Sequence, residues 1–475
     1  MKNSMRVLLA LMLVFAMLFA AGCGSDSAKP EPTKAPAADT DTTTPATDEG
    51  GKQAPVEPAA TKAPLNFDSS VSTTTVDDYG WIALDCGYDY TMALQKDGAL
   101  CGWGRNNYGQ VGSGTYKDEC VMAVQPVLTG ITSISTGEYH SCAISTDGKM
   151  YIWGNNHSGR LGDGTTGGRS TPTLNSTLEE TGEQIVQLAP GTSSTFAISA
   201  DGTLYAFGAN AKGQLGVVSE NKNKEELKPI AVLENVKAVY SAGEFSYAIK
   251  NDGSLWVTGS NKKGQLGMTT EDKTVSVWTE LTTISDVASF ALGEEFALAL
   301  KNDGTVWAVG SNKNGQLGIG SDEKTVETWT QVTDGAASVF AGVDTAGCVK
   351  TDGTLYLWGN NKAGQIGDGT TENKNAPVQV LTDVASADCG ASHGAALKTD
   401  GSIWTWGNNK YFQLCDGTTA DSLTPKMVVT NATAEAPAEE AAETPVEEAA
   451  ETPVEEAAEA PVEEAAEAPA ETTEG

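Results

Sequence analysis

The sequence predicts an all-β protein whose ordered part is a seven-bladed β-propeller. Seven of the Asp-Gly pairs recur in a common register, at steps of 50, 54, 51, 51, 49 and 48 residues. Each pair stands between two short runs of alternating apolar residues, which is the pattern of a tight β-hairpin. A glycine-rich motif follows every hairpin. The pairs begin at Asp97, Asp147, Asp201, Asp252, Asp303, Asp352 and Asp400.

The glycine-rich motif reads Gly-x-Asn-x-x-Gly-Gln-Leu-Gly. Val111 and Ile366 replace Leu in the first and sixth copies, and Arg160 replaces Gln in the second. In the seventh copy Phe412 and Cys415 replace two of the glycines. Turns demand glycine at such positions, so the motif indicates a recurring loop and not a phosphate site. The copies occupy residues 104–112, 154–162, 208–216, 259–267, 310–318, 359–367 and 407–415.

An apolar run that ends in a glycine, here called the marker glycine, precedes each hairpin. A fourth short run, such as Pro126–Leu128 or Pro377–Val380, completes each unit. Four strands per unit and seven units describe a propeller, in which each blade buries its faces against two neighbours. We expect Pro425–Val429 to lie beside Trp81–Leu84 and close the ring. The marker glycines are Gly87, Gly137, Gly191, Gly243, Gly293, Gly342 and Gly390.

The motif copies and their Asp-Gly hairpins, from about Trp81 to Thr430, resemble the repeats of the regulator-of-chromosome-condensation family (RCC1-type). The resemblance implies a seven-bladed propeller. The roles of the family include nucleotide exchange on a small GTPase, scaffolding and, in a secreted bacterial relative, inhibition of β-lactamases. These roles share protein binding. Exchange activity belongs to nuclear or cytosolic members, and the N-terminus of this chain argues against it.

The N-terminus predicts export. A basic start is followed by an apolar run from Val7 to Ala21, which is typical of a secretory signal and short for a spanning helix. Ala20-Ala21-Gly22-Cys23 resembles the bacterial lipobox, which implies cleavage after residue 22 and lipidation of Cys23. We therefore expect an anchor on the outer side of a bacterial membrane, at the cell surface. The alternative is an ordinary signal peptide with an incidental cysteine.

Composition divides the rest of the chain. Residues 23–65 are rich in Ala, Pro and Thr and are expected to be a disordered tether, whereas residues 66–431 hold the propeller. Residues 432–475 form an acidic octapeptide-repeat tail, also expected to be disordered, in which a proline every eight residues stops helix formation. The tail is either a solvated spacer or an arm that binds basic partners or cations.

Charge and residue content exclude several functions. The net charge is −33, and the tail contributes 15 glutamates with no Lys or Arg, so the remainder carries −33 + 15 = −18. A surface this acidic repels phosphate backbones, which argues against nucleic acid as a partner. The chain has three histidines, no nucleophile elbow between a strand and a helix, no phosphate loop and no calcium loop. We therefore expect a non-enzyme without cofactor or metal.

The cysteines allow one specific bridge. Cys86 and Cys389 precede the marker glycines of the first and seventh units, which become neighbours when the ring closes. A disulfide there would staple the junction if the two Cα atoms lie within about 7 Å. The alternative is that both are buried free thiols.

The expected function is binding of another protein, by a monomer, through one face of the ring. The membrane is expected to be contacted through the lipid anchor alone. Antiparallel strands reverse at each turn, so the turns after the marker glycines share a face with the glycine-rich turns. Exposed aromatic and charged side chains there are typical of binding hot spots. The candidate residues are Tyr88, Asp89, Tyr90, Glu138, Tyr139, His140, Glu244, Phe245, Glu294, Glu295, Phe296, Asp344, His393, Lys262, Lys313, Lys362 and Lys410.

Three alternatives stay open. The lysines and glutamates of this face are also what solvated turns and local backbone capping require. The bound protein can be an extracellular enzyme, such as a β-lactamase or a cell-wall enzyme, that the propeller inhibits. A ring of aromatics and carboxylates around the central mouth would also suit an envelope glycan.

Overall fold

A computed structural model of the chain describes residues 80–120, 128–219 and 224–428. It contains seven four-stranded antiparallel sheets, which confirms the predicted seven-bladed propeller. The predicted signal segment, Cys23, the predicted tether, the acidic tail, Pro126 and Val429 lie outside the described residues. In the described part, no helix is long and apolar enough to span a membrane.

The strands follow one another in chain order, four to a blade. The first three blades are formed by β1 Trp81–Cys86, β2 Tyr90–Gln95, β3 Leu100–Gly104, β4 Glu119–Cys120, β5 Ile131–Thr136, β6 His140–Ser145, β7 Met150–Gly154, β8 Arg169–Leu174, β9 Ile185–Pro190, β10 Ser194–Ser199, β11 Leu204–Ala209 and β12 Glu225–Leu233. A single helical turn, α1 Ser176–Glu179, follows β8.

The remaining four blades have the same order. They are formed by β13 Val236–Ala242, β14 Phe245–Lys250, β15 Leu255–Ser260, β16 Thr274–Leu281, β17 Val287–Leu292, β18 Phe296–Lys301, β19 Val306–Ser311, β20 Thr325–Thr333, β21 Ala336–Ala341, β22 Thr345–Lys350, β23 Leu355–Gly359, β24 Lys374–Leu381, β25 Val384–Cys389, β26 His393–Lys398, β27 Ile403–Gly407 and β28 Ser422–Val428. The predicted fourth strand Pro377–Val380 lies within β24.

The first strand of each blade is the innermost, and these seven strands surround a central channel. The second and third strands form the Asp-Gly hairpin. In the fifth blade Gly304 adopts a φ of 81°, and Asp303 Oδ1 accepts a hydrogen bond of 2.9 Å from the Thr305 backbone N–H. Glycine takes this left-handed conformation without steric cost, which explains why it recurs in the turn.

The conserved geometry of the glycine-rich loops depends on their asparagine. Asn361 is fully buried, and its Oδ1 accepts a 2.9 Å hydrogen bond from the Ile366 N–H. Its amide group donates to Asp368 Oδ1 and to the carbonyl oxygens of Thr370 and Glu372. One side chain therefore satisfies several backbone groups of an irregular loop.

The degraded seventh copy keeps this loop geometry. Asn409 Oδ1 accepts from the Leu414 N–H at 2.9 Å, as its counterparts do in the other copies. Phe412 and Cys415, which replace glycines, adopt positive φ angles of 64° and 46°. These left-handed residues carry steric strain that glycine would avoid. The interactions of the asparagine hold the loop in shape despite that strain.

Apolar side chains between neighbouring blades form the core. In four blades, a buried tryptophan of the third strand donates an indole hydrogen bond to the carbonyl of the motif glutamine in the preceding blade. These bonds measure 2.8 to 3.0 Å and join Trp103 to Gln413, Trp153 to Gln110, Trp358 to Gln316 and Trp406 to Gln365. The bond from Trp103 to Gln413 crosses the junction of the seventh and first blades, here called the seam.

The seam is packed as the prediction of ring closure requires. Val428 of the last strand shares a hydrophobic cluster with Trp81 and Leu84 of the first. The Cys86 N–H also donates to Asp388 Oδ2 at 2.9 Å. Within the described residues no strand is exchanged across the seam, because β1 to β4 form one sheet and β25 to β28 another.

The bridge between Cys86 and Cys389 does not form, and the alternative of two free thiols is confirmed. Both cysteines are buried free thiols. Cys389 packs in the cluster that contains Phe340 of the sixth blade, whereas Cys86 Sγ lies 3.7 Å from Thr91 Oγ1 in its own blade. The two side chains thus occupy different environments although their repeat positions match. Cys415, in contrast, is disulfide-bonded.

Candidate protein-binding face

The turns after the marker glycines and the glycine-rich turns lie on one face of the propeller, here called the motif face. Side chains from the two sets meet there: Lys313 Nζ lies 3.3 Å from Glu295 Oε2, and Lys212 Nζ lies 3.7 Å from Glu244 Oε1. The Asp-Gly turns lie on the opposite face, here called the hairpin face. This arrangement is the one that strand reversal predicts.

Backbone hydrogen bonds join several neighbouring turns around the mouth of the channel, and the seven turns are here called the collar. The Ala391 N–H donates to the Tyr88 carbonyl at 2.7 Å, and the Tyr88 N–H donates to the Glu138 carbonyl at 3.3 Å. The Glu294 N–H bonds to the Val343 carbonyl at 3.1 Å. These neighbouring turns therefore position one another through their backbones.

Six of the seventeen candidate residues are buried: Asp89 is 7% exposed, and the other five are fully buried. The turn after each marker glycine is shorter than predicted, so the next residue already begins the second strand and points between blades. Tyr90, for example, is fully buried and donates its hydroxyl to the His140 carbonyl at 2.7 Å. The prediction that their side chains are available to a partner is wrong for Tyr90, His140, Phe245, Phe296 and His393, each fully buried.

The two buried histidines are uncharged parts of the core. His140 Nε2 lies 2.8 Å from Thr195 Oγ1, and His393 Nε2 lies 3.0 Å from Thr91 Oγ1 across the seam. Burial lowers the pKa of His140 well below its ordinary value and lowers the pKa of His393 to about 4. Desolvation disfavours the charged imidazolium.

This burial makes stability depend on pH. The pKa of His393 is lower in the folded protein than the usual 6.5, so its contribution is present above pH 6.5 and is lost as the pH falls towards about 4. We expect wild type to lose about 1.5 kcal/mol more of its unfolding free energy between pH 6.5 and 5 than His393→Gln. Urea titrations at both pH values test this, and parallel losses in the two proteins would contradict it.

Tyrosines gather on the motif face over the first, second and seventh blades. The ring centroids of Tyr88 and Tyr139 are 5.5 Å apart, and those of Tyr108 and Tyr139 are 5.3 Å apart with edge-to-face geometry. Arg105 lies 4.8 Å from the centre of the Tyr411 ring. These five residues are here called the tyrosine sector. Tyr108 is 39% exposed, so part of the cluster faces solvent.

The base of the tyrosine sector is polar. Asp89, predicted as a surface residue, is 7% exposed and lies 3.2 Å from Arg105 Nη1. Burial raises the pKa of Asp89, and the hydrogen bond from Arg105 opposes that rise. Burial likewise raises the pKa of Glu138, opposed by hydrogen bonds from Tyr139 and Thr192. The carboxylates therefore serve to hold the aromatic side chains in place.

The opposite half of the motif face carries lysines and glutamates. Lys262 Nζ lies 3.9 Å from Glu244, which also pairs with Lys212. Exposed pairs of this kind contribute about 0 to 1 kcal/mol each. The pKa of Glu294 is raised by burial and then by Asp344. The predicted residue Lys362 is exposed as well, whereas the exposed Lys410 lies beside the tyrosine sector, 4.9 Å from the centre of the Tyr411 ring.

Several residues of the face escaped sequence reasoning. Arg105 is a variable position of the first glycine-rich motif, Tyr116 follows that motif, and Arg160 stands out in the sequence solely as a departure from the motif consensus. On the hairpin face, a lysine before each of four Asp-Gly pairs stacks on an aromatic ring six residues later, a spacing visible in the sequence. The distances to the ring centroids are 4.7 Å for Lys250–Trp256, 5.6 Å for Lys301–Trp307, 5.5 Å for Lys350–Tyr356 and 4.9 Å for Lys398–Trp404.

Metal-ligating side chains do not converge in the described ranges 80–120, 128–219 and 224–428. There, no group of three or more His, Cys, Asp and Glu residues is arranged to hold a metal ion. The carboxylates of the collar are spread around the mouth and are held by neighbouring side chains. The chemistry of the motif face is thus that of aromatic stacking, hydrogen bonding and paired charges.

Comparison with solved structures gives the same architecture. The structure of Prp20p from Saccharomyces cerevisiae matches with a TM-score of 0.59 at 23% identity, over 69% of this chain and 86% of that chain. Human WBSCR16 matches with a TM-score of 0.59 at 20% identity, over 69% and 93% of the two chains. At these identities the likeness shows the fold.

Sequence comparison identifies relatives and the family. The chain is 27% identical to the ultraviolet-B receptor UVR8 of Arabidopsis thaliana over 262 residues, 54% of this chain and 58% of that protein. It is 34% identical to the probable E3 ubiquitin-protein ligase HERC6 of Homo sapiens over 193 residues, 39% and 19% of the two. The chain thus spans little more than half of the one relative and a fifth of the other.

RCC1 repeat profiles match residues 81–110, 131–160 and 97–144. The profile of the RCC1-like domain matches residues 169–446, which is more than half of the chain. The repeats, the seven blades and this match agree, and the chain belongs to the RCC1-like domain family.

Proposed function

We propose that this protein is an exported, lipid-anchored binding module that holds another protein on its motif face. The tyrosine sector is the observation that carries the proposal. Tyrosine and arginine are enriched among residues that dominate binding energy, because they combine apolar area with a hydrogen-bonding group. Tyr139 contacts the rings of both Tyr88 and Tyr108, which restricts these side chains before binding and lowers the entropy lost on binding.

The relatives support a protein as the partner. The solved structure of Prp20p is described together with binding to Gsp1p and histones, and another structure shows Kap60 bound to yeast RCC1. The HERC6 alignment covers 19% of that ligase, so it gives no reason to assign ligase chemistry to this chain. A non-catalytic binding role agrees with the paired charges and stacked rings of the motif face.

The tyrosine sector should provide most of the binding energy. We expect the double substitution Tyr108→Ala and Tyr139→Ala to weaken binding of a captured envelope or secreted protein at least tenfold, about 1.4 kcal/mol or more. Both side chains are part-exposed, so the unfolding free energy should fall far less than for a core substitution. Affinity is measured by calorimetry with the purified partner, after identification by pull-down with the full chain.

A matched control is available on the other face. Asp252→Ala with Asp303→Ala alters two exposed Asp-Gly turns and should leave affinity within twofold. Loss of binding in this control, with the tyrosine variant unaffected, would place the site on the hairpin face. A captured enzyme that loses activity on binding would favour the inhibitor role, whereas binding of soluble glycan alone would favour the glycan role.

The anchor has its own test. The lipobox-like Ala20-Ala21-Gly22-Cys23 supports the proposal of a lipidated cysteine at the membrane surface. Acyl chains contribute about 0.8 kcal/mol for each buried CH₂ group, so losing them should abolish membrane retention. We expect Cys23→Ser to move the protein from the detergent phase to the aqueous phase, with unchanged circular dichroism. Retention of this variant in membranes would contradict lipidation at Cys23.

A further inference from the structure

The second glycine-rich loop differs from the other six in the role of one side chain. In the other copies the motif glutamine accepts a hydrogen bond from a backbone N–H two residues earlier, as Gln316 Oε1 does from Asn314 at 2.8 Å. The Arg160 guanidinium cannot accept a hydrogen bond. Its Nε donates to the His157 carbonyl at 3.0 Å, and its Nη1 donates to the Thr192 carbonyl at 2.6 Å. The loop therefore holds a cation where its counterparts hold an amide.

The Arg160 guanidinium is buried beside neutral acceptors. Arg160 is 5% exposed, and no carboxylate of the described residues lies within ion-pair distance of it. Burial lowers its pKa, and the more distant Glu138 opposes that effect. Arginine nevertheless stays charged at neutral pH. A buried charge that neutral carbonyl oxygens satisfy in part is strongly favoured to accept an anionic partner.

An open pocket borders Arg160. It has a volume of about 600 Å³ and lies on the motif face between the loops of the first and second blades. Arg160 lines it together with Tyr108, Tyr116, Tyr139 and His157. Tyr116 is 58% exposed, so an aromatic side chain stands at the rim with much of its area unburied. The pocket thus joins one buried cation to several aromatic walls.

We propose that this pocket takes an acidic side chain from a peptide segment of the bound partner protein, with Arg160 as its anchor. The proposal rests on the proposed function and adds the chemistry of the contact. The planar guanidinium matches the geometry of a carboxylate, which neutral glycan hydroxyls do not. The tyrosines would pack against the apolar parts of the flanking residues. The contact is non-covalent, so no bond is formed or broken.

The repeat itself supplies the test variant. Arg160→Gln (R160Q) installs the residue that the other six copies carry, so the loop is expected to fold. Lys313→Gln (K313Q) is the matched control, because it removes one positive charge from the same face at the fifth blade. The probe is a fluorescein-labelled peptide of residues 445–452, Pro-Val-Glu-Glu-Ala-Ala-Glu-Thr, and its counterpart with Gln for Glu. Both are titrated into the full chain by fluorescence anisotropy.

We expect the acidic peptide to bind wild type, R160Q to weaken it at least tenfold, and K313Q to change it less than twofold. The Gln peptide should bind wild type no better than the acidic peptide binds R160Q. Equal weakening by R160Q and K313Q would overturn the proposal, because it would indicate unspecific attraction. Absence of binding to wild type would also overturn it, whereas the proposed function depends on the separate tyrosine experiment.

A third variant of the chain tests whether the acidic segment comes from a partner protein or from the chain's own tail. In it, all 15 glutamates of residues 432–475 are replaced by glutamine. Equal affinity of the probe for this protein and wild type would support a partner as the source. If the probe binds the neutralised protein alone, the chain's own tail occupies the pocket, and the assignment to a partner is overturned.

Discussion

Trp103→Ala is expected to lower the unfolding free energy by about 4 kcal/mol, because it empties the centre of the seam. The indole is fully buried in the cluster that joins the first and seventh blades, together with Trp81 and Val428. Its loss also removes the 2.8 Å hydrogen bond to the Gln413 carbonyl. A buried carbonyl left without its donor adds to the cost of the cavity. Urea unfolding followed by circular dichroism measures the change.

Substitutions of two other tryptophans serve as controls for this result. Trp358→Ala makes the same change between the fifth and sixth blades, away from the seam, where the indole bonds to the Gln316 carbonyl at 3.0 Å. It should lower the unfolding free energy by about as much. Trp256 is half-buried and stacks with Lys250, so Trp256→Ala should cost about 1 kcal/mol. If Trp103→Ala costs no more than Trp256→Ala, the seam is not the packed interface described here.

Gly137→Ala is expected to cost about 3 kcal/mol, although the change adds a single methyl group. An added Cβ would lie 2.6 Å from the Gly191 carbonyl oxygen of the next blade and 2.6 Å from His140 Cε1. The histidine ring can turn by a small amount, but the carbonyl belongs to the collar and cannot. The methyl group must therefore separate the second and third blades. The unfolding free energy again reports the effect.

Gly253→Ala separates crowding from backbone conformation. Gly253 lies in an Asp-Gly turn with a φ of 84°, and nothing lies within 4 Å of an added Cβ. The substitution should cost about 1 kcal/mol, from the left-handed conformation alone. A loss at Gly137 no larger than this would show that the marker glycines are not selected by close approach between blades.

The fold could be predicted because its signals repeat. A single Asp-Gly pair is weak evidence for a hairpin, but seven pairs at nearly constant steps fix the number of blades. The glycine-rich motif added the loop between the third and fourth strands, and its asparagine proves to hold that loop. Even the seventh copy was placed correctly, because Asn409, Gln413 and Leu414 persist where Phe412 and Cys415 replace glycine.

The binding face was predicted in part, for a physical reason. The sequence shows where a turn begins, but a difference of one residue in its length decides whether the next side chain faces solvent or the core. Tyr88 and Tyr139 precede that point and lie in the tyrosine sector, whereas Tyr90 and His140 follow it and are buried. Arg105 could not be assigned, because its partner Tyr411 is distant in sequence and adjacent only in the closed ring.

The absence of strand exchange within the described blades has a consequence for the evolution of the propeller. A sheet such as β13 to β16 draws all its backbone hydrogen bonds from one stretch of chain, so a duplicated gene segment of that length adds a complete blade. Nothing already present has to re-pair. The added blade must pack against the two blades beside it, and it changes the circumference of the ring. In this architecture, a tandem duplication of a blade cuts and rejoins the chain between complete sheets. A move of the chain ends to another blade boundary does the same.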